Sequence, residues 1–222
     1  MFDFLEGYDL LGAFWVTVKL TVFSGIGSLV LGTLLAAMRV SPVPLMRGFA
    51  TVYVNVVRNI PLTVIIVFAS LGLADVFGVT LGAADDFDEQ AFRLAVLGLG
   101  GYTAAFVCEA VRSGINTVPV GQAEAARAIG LSFTQVLRFV VLPQAFRSVI
   151  GPLTNVLIAL TKNTTVASAI GVTEAALLMK EMIENEAQLV LISAVFALGF
   201  VILTLPTGLF LGWLGKRMAV KR

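Results

Sequence analysis

LVLISAVFALGFVILTLPTGLFLGWL, residues 189–214, runs from end to end without one charged side chain. A helix rises about 1.5 Å per residue, so roughly 20 apolar residues cross the ~30 Å hydrocarbon layer of a bilayer. This stretch exceeds that length and is read as a transmembrane helix. Four further candidates precede it. Residues 14–38 are interrupted only by Lys19, and residues 94–111 only by Glu109. Residues 59–74 are shorter, with an apolar extension back to residue 49, and residues 149–172 are broken by Lys162 and Asn163. The 222-residue chain is 58% hydrophobic and 13% charged, with a mean hydropathy of +0.96. A soluble domain is about 45–50% apolar and about 25% charged. A core of this size cannot hide the excess, so lipid is its solvent. The expected fold class is all-α: a polytopic membrane protein with five transmembrane helices in one domain, 1–222. The start of the chain carries Asp3, Glu6 and Asp9 rather than a basic leader, so the first apolar segment is read as a retained span.

The charges between spans set an expected orientation. Arg39, Arg47 and Arg58 follow the first span, Arg112, Arg127, Arg138 and Arg147 lie between the third and fourth, and Lys216, Arg217, Lys221 and Arg222 end the chain. The acids Asp3, Glu6 and Asp9, then Asp75, Asp85, Asp86, Asp88 and Glu89, then Glu174, Glu181, Glu184 and Glu186 fall on the other side. Basic loops stay in the cytoplasm, so the N-terminus is expected outside and the C-terminus inside. Net charge is only +1, which gives no pull toward nucleic acid. There is no histidine and one cysteine, Cys108. That removes the commonest general base and metal ligand, so neither catalytic residues nor a metal site is expected.

The connection between the third and fourth spans, about residues 116–143, has helical signals of its own. Pro119 suits a helix start, residues 122–129 are alanine-rich, and Gly130 supplies a stop. Ser132 with Gln135 matches a capping box for a second helix, which Pro143 ends or hands on to the next span. Within this loop the sequence reads Glu124-Ala125-Ala126, three residues, Gly130, nine residues, then Val140-Val141-Leu142-Pro143. That pattern resembles the coupling motif of the permease subunits of ABC importers. Arg58-Asn59-Ile60-Pro61-Leu62, the run from Glu109 and Arg112 to Gly121-Gln122-Ala123-Glu124, and Lys162-Asn163-Thr164-Thr165 look like signatures of the polar amino acid subfamily. The wording of residues 159–165 and the tail 217–222 is most similar to actinobacterial glutamate permeases.

The resemblance implies a type I importer permease fold in the bacterial cytoplasmic membrane, with glutamate as cargo. It implies that Glu124, Ala125, Ala126, Arg127, Gly130 and Pro143 couple to a cytoplasmic ATPase dimer, which binds ATP and Mg. This chain itself would hold no cofactor and cleave no ATP; it lacks a Gly-x-x-x-x-Gly-Lys-Ser/Thr loop. The other implied partners are a second permease, a different but related chain, and an extracellular amino acid-binding protein. Lys162, Asn163, Thr164 and Thr165 admit two readings: a polar lining of the substrate path, favouring an acidic cargo, or a lysine that snorkels to the outer interface. Arg58 is either a cavity cation for a carboxylate or, the reading preferred here, an anchor at the inner end of the second span. Glu109 and Arg112, i and i+3, read as an internal pair. An ATP-independent secondary transporter would explain the bundle but not the ordered loop, and an intramembrane enzyme would lack its chemistry.

Overall fold

The computed structural model describes residues 7–81 and 86–218, and these are helical with short connections. Asp3, Glu6, Asp85 and the tail residues Lys221 and Arg222 lie outside the described residues. The helices are α1 Leu10–Val40, α2 Pro44–Asn59, α3 Leu62–Val76, α4 Phe87–Asn116, α5 Val120–Ala128, α6 Thr134–Ile170, α7 Ala175–Glu186 and α8 Leu189–Met218. Their starts follow the capping chemistry of short acids. The Asp9 carboxylate accepts from the Gly12 amide (2.8 Å) and Asp86 from Glu89 (3.0 Å), satisfying amides that have no partner inside the helix.

Four of the helices, α1, α4, α6 and α8, are long and apolar enough to cross a membrane singly, which fits the expected spans one, three, four and five. The second span differs from expectation. Residues 59–74 do not form one helix with an extension behind it. A separate helix, α2, ends at Asn59, the chain runs extended through Ile60 and Pro61, and α3 leaves at 107°. Proline disfavours helical geometry at the preceding residue and offers no N–H of its own, and here Ile60 takes the extended form. Five spans are reached only by counting this bent pair as one.

Helix α4 is the centre. It packs along α1 on one side and α6 on the other, and α6 carries α8. Toward the N-terminal end of α4, Leu20, Ile66, Leu94, Leu99 and Leu160 close one core. Toward its C-terminal end, Leu35 and Ala36 of α1 and Ala104, Ala105 and Cys108 of α4 receive Ala50 and Val54 of α2. Tyr53 fixes that crossing by donating its hydroxyl to the Gly101 carbonyl at 2.9 Å. Outside these contacts, Val22, Ile26 and Val30 of α1 and Leu198, Ile202, Leu205 and Leu209 of α8 point away from the protein. An apolar exterior of this extent is a lipid-facing surface.

The fourth span starts earlier than the expected residue 149. Of the two readings of Pro143, the structure takes the hand-over into the next span. The capping-box helix continues without a break into the span, so α6 runs from Thr134 to Ile170. Residues Leu137–Val141, just ahead of Pro143, widen into a π turn. Such a turn moves the carbonyl that a proline ring would strike, and the helix survives.

Candidate functional site

The loop between α4 and α6 is built as a braced bracket. Pro119 stands one position earlier than a first helical turn, as the residue that caps α5. At the other end the Leu131 amide donates to the Ala126 carbonyl (3.2 Å) and the Gly130 amide to Arg127 (3.0 Å). This double closure needs a left-handed residue, and Gly130 has φ +93°. The Ser132 amide then donates to Gln135 Oε1 (2.8 Å), and the Gln135 amide to Ser132 Oγ (3.4 Å). Two side-chain bonds tie the bracket to α6: Gln144 Nε2 to Gln122 Oε1 at 2.7 Å, and Thr117 Oγ1 to Ser148 Oγ at 2.9 Å. Beneath them α4 and α6 approach so closely at Gly114 that a Cβ there would collide with Val149 and stand 3.0 Å from the Ala145 carbonyl. On α5 only Ala126 is buried; Glu124, Ala125 and Arg127 are exposed, as is Pro143 on α6. Among the described residues no ion pair joins Glu124 to Arg127. Their charges face outward together with the exposed apolar side chains of Val120 and Ile129, a surface suited to a protein partner.

At the same end of the bundle one carboxylate gathers three arginines. Glu109 of α4 accepts from Arg39 of α1 and from Arg112 one turn on (2.8 and 3.3 Å), and Arg58 of α2 stands 4.0 Å away. The Glu109–Arg112 pair was legible from spacing. The contact with Arg39, 70 residues distant, was not. Arg58 also lies over the Phe106 ring, 5.5 Å from its centre.

Phe106 belongs to an open-sided cavity of about 330 Å³ between α4 and α6, whose other walls are Tyr102, Thr103, Asn155, Val156, Ala159 and Asn163. That volume lies in the range of small-molecule sites, about 300–1,000 Å³. Thr103 Oγ1 is buried without a hydrogen-bond partner. Of the four expected polar residues after the fourth span, Asn163 lines this cavity and Lys162 is exposed outside it. Thr164 is buried and donates to the Thr161 carbonyl (2.7 Å), while Thr165 donates to Lys162 (2.8 Å). Both hydroxyls therefore serve their own helix, which tightens to a 3₁₀ turn over Thr164–Ile170. Asn155 was not singled out from sequence. The signal was there: Asn155, Ala159 and Asn163 recur at i, i+4 and i+8, one face of a helix.

At the opposite end lies Glu174, which caps α7. It is fully buried and accepts from the amides of Ala176 (2.9 Å) and Leu177 (3.1 Å) and from the Thr17 hydroxyl (3.4 Å). Burial raises its pKa from the usual 4.5 to about 7, against the lowering effect of those hydrogen bonds.

The sequence profile described as binding-protein-dependent transport system inner membrane component matches residues 28–220. The chain is 58% identical over 220 residues to the glutamate transport system permease protein GluC of Corynebacterium efficiens, covering 97% of this chain and 96% of that one. Identity to GluC of Corynebacterium glutamicum is 55% over the same shares. Among solved structures, an amino acid ABC transporter with histidines superimposes with a TM-score of 0.83 at 26% identity, covering 94% of this chain and 93% of that one.

Proposed function

The chain belongs to the binding-protein-dependent transport system inner membrane components, and from that premise we propose that it is the glutamate-conducting permease subunit of an ABC importer, driven through its α5 loop by a separate ATPase. The observation that carries the coupling role is the bracket itself. Glu124 and Ala125 stand exposed, with Ala126 turned inward, on a short helix fastened by the Gln122–Gln144 hydrogen bond to α6, which also bears Asn163. A push on α5 is thus a push on a cavity wall. Small alanines admit close approach of a partner, while Glu124 and Arg127 meet the rim of its groove; Gly130 and Pro143 keep the geometry. Rigid-body displacement of such an element is a standard way to switch a bundle between two openings.

The loop end, rich in arginine, faces the cytoplasm, so the N-terminus is outside and the C-terminus inside. ATP and Mg bind to the ATPase dimer. One subunit presents this cavity open on one side, and a second permease, a related but different chain, closes the pathway from the other side. A binding protein delivers the amino acid externally. Tyr102, Asn155 and Asn163 line the path. Lys162 flanks it as a cation that favours an acidic cargo, Arg58 anchors the inner end of the second span beside the Phe106 wall, and the 58% identity to a protein named as a glutamate permease supports that choice of cargo.

The test is uptake of labelled glutamate into vesicles holding this chain with its neighbouring subunits, with glutamine, arginine and histidine as competitors. ATP-dependent glutamate uptake that disappears in Glu124→Lys is expected, and Lys162→Gln should weaken uptake while assembly stays intact. Uptake independent of ATP and of Glu124 would replace this reading with a secondary transporter.

A further inference from the structure

Helix α4 borders two hollows. Tyr102 and Phe106 line the cavity described above, whereas Val111 and Ile115 line a second one, a groove of about 700 Å³. Each of the latter lies nine residues after one of the former. At 3.6 residues per turn that is two and a half turns, the opposite side of the helix. The groove therefore opens away from the cavity and from the partner that closes it. Its other walls are Leu29 and Thr33 of α1 and the stretch of α6 from Leu142 to Leu153, with mostly carbon surfaces. Along α6 this stretch measures about 16 Å at 1.5 Å per residue, close to half of the ~30 Å hydrocarbon layer, or one leaflet.

One cation stands in the lining, Arg147. It is exposed, and no carboxylate among the described residues lies within 4 Å of it. Side chains lean toward the N-terminus of their helix, so Arg147 of α6 reaches toward the loop end. The geometry points to a site for an anionic phospholipid, its phosphate on Arg147 and an acyl chain along the groove to Leu29 and Leu153. The assignment of the lipid to the cytoplasmic leaflet rests on the orientation proposed above. That leaflet carries the anionic lipids, and basic pockets between spans on that side are where their headgroups bind.

The experiment is native mass spectrometry of the detergent-purified assembled transporter, titrated with equimolar phosphatidylglycerol and phosphatidylethanolamine. The wild type is expected to retain phosphatidylglycerol preferentially. Arg147→Gln should cut that preference about fivefold, the effect of one surface cation on an anionic lipid, and Arg147→Lys should keep most of it. Leu153→Trp, which fills the inner end of the groove, should reduce retention of both lipids. Assembly is read from the mass of the complex in the same spectrum, so a misfolded variant is recognised. Equal retention of the two lipids by the wild type, or unchanged preference in Arg147→Gln, would overturn the site. Maleimide labelling of Arg217→Cys in sealed vesicles reads sidedness separately, so a failed orientation is distinguished from a failed lipid site.

Discussion

The contact between Arg39 and Glu109 offers the most direct energetic test of how the loop end is held together. Both side chains are largely withdrawn from solvent, with 15% and 23% exposure, so their charge-assisted hydrogen bond belongs near the upper range of about 1.5–3 kcal/mol. Arg112 is 36% exposed and bonds the same carboxylate within one helix, which screening reduces to about 0.5 kcal/mol. Arg58, at 4.0 Å and 43% exposed, adds less. Glu109→Ala should thus destabilise the subunit by about 2–4 kcal/mol, Arg39 being left buried and unpaired. The assay is a double-mutant cycle: unfolding free energies, from denaturant titration of the subunit in mild detergent, for wild type, Arg39→Ala, Glu109→Ala and the double variant. The double variant should lose less than the sum of the singles, by a coupling of about 1.5–3 kcal/mol. A parallel cycle with Arg58→Ala should give under about 0.5 kcal/mol. Additivity within about 0.5 kcal/mol for Arg39 and Glu109 would refute the argument, because distant, independent residues behave in that way.

Gly114→Ala should cost about 1–3 kcal/mol through overpacking against Val149, and Val149→Ala in the same chain should recover much of it; a harmless single substitution, read by thermal melting, would contradict the close approach of α4 and α6. Gly130→Ala meets no atom within 4 Å, so its cost is confined to the left-handed backbone, about 1 kcal/mol, and should appear as faster hydrogen exchange at the Leu131 amide, with unchanged exchange counting against the double closure. Glu174 has a folded pKa of about 7 against a usual 4.5, so the fold favours its protonated form. Its contribution to stability is complete below about pH 4.5 and is lost as pH rises through 7. Melting temperature should fall between pH 5 and pH 8, and Glu174→Gln should flatten that slope; an identical slope in the variant would remove Glu174 as its source.

Local rules carried the sequence reading a long way. The spans of α1, α4, α6 and α8 announce themselves by apolar length, and the turn from Gly130 through Ser132 to Gln135 follows from capping chemistry that acts within a few residues. The failures share a cause. Pro61 promises a break, but the 107° angle between α2 and α3 is decided by how Ala50 and Val54 seat against α1 and α4, contacts made with residues far along the chain. Pro143 marks the hand-over into the span, but nothing local foretells the π turn five residues long just ahead of it. At the candidate cavity, Asn163 was singled out by its apolar neighbourhood; Asn155 was passed over because a single amide in an apolar stretch carries no local signal, and only its register with Asn163 reveals a shared face. Glu174 read as one acid among several in an external loop, since burial is a property of the packed structure alone.

The continuity of α6 has a mechanical consequence. From the π turn ending at Val141 to Asn163 the helix is about 33 Å long at 1.5 Å per residue. Treated as a lever pivoting at that turn, it converts a tilt of about 5° into roughly 3 Å of travel at Asn163, several times the lengthening of under about 1 Å that breaks a hydrogen bond. Pro152 lies inside this arm without breaking it, so the loop end and the cavity wall are joined through one helix whose wide turn lies beside Pro143.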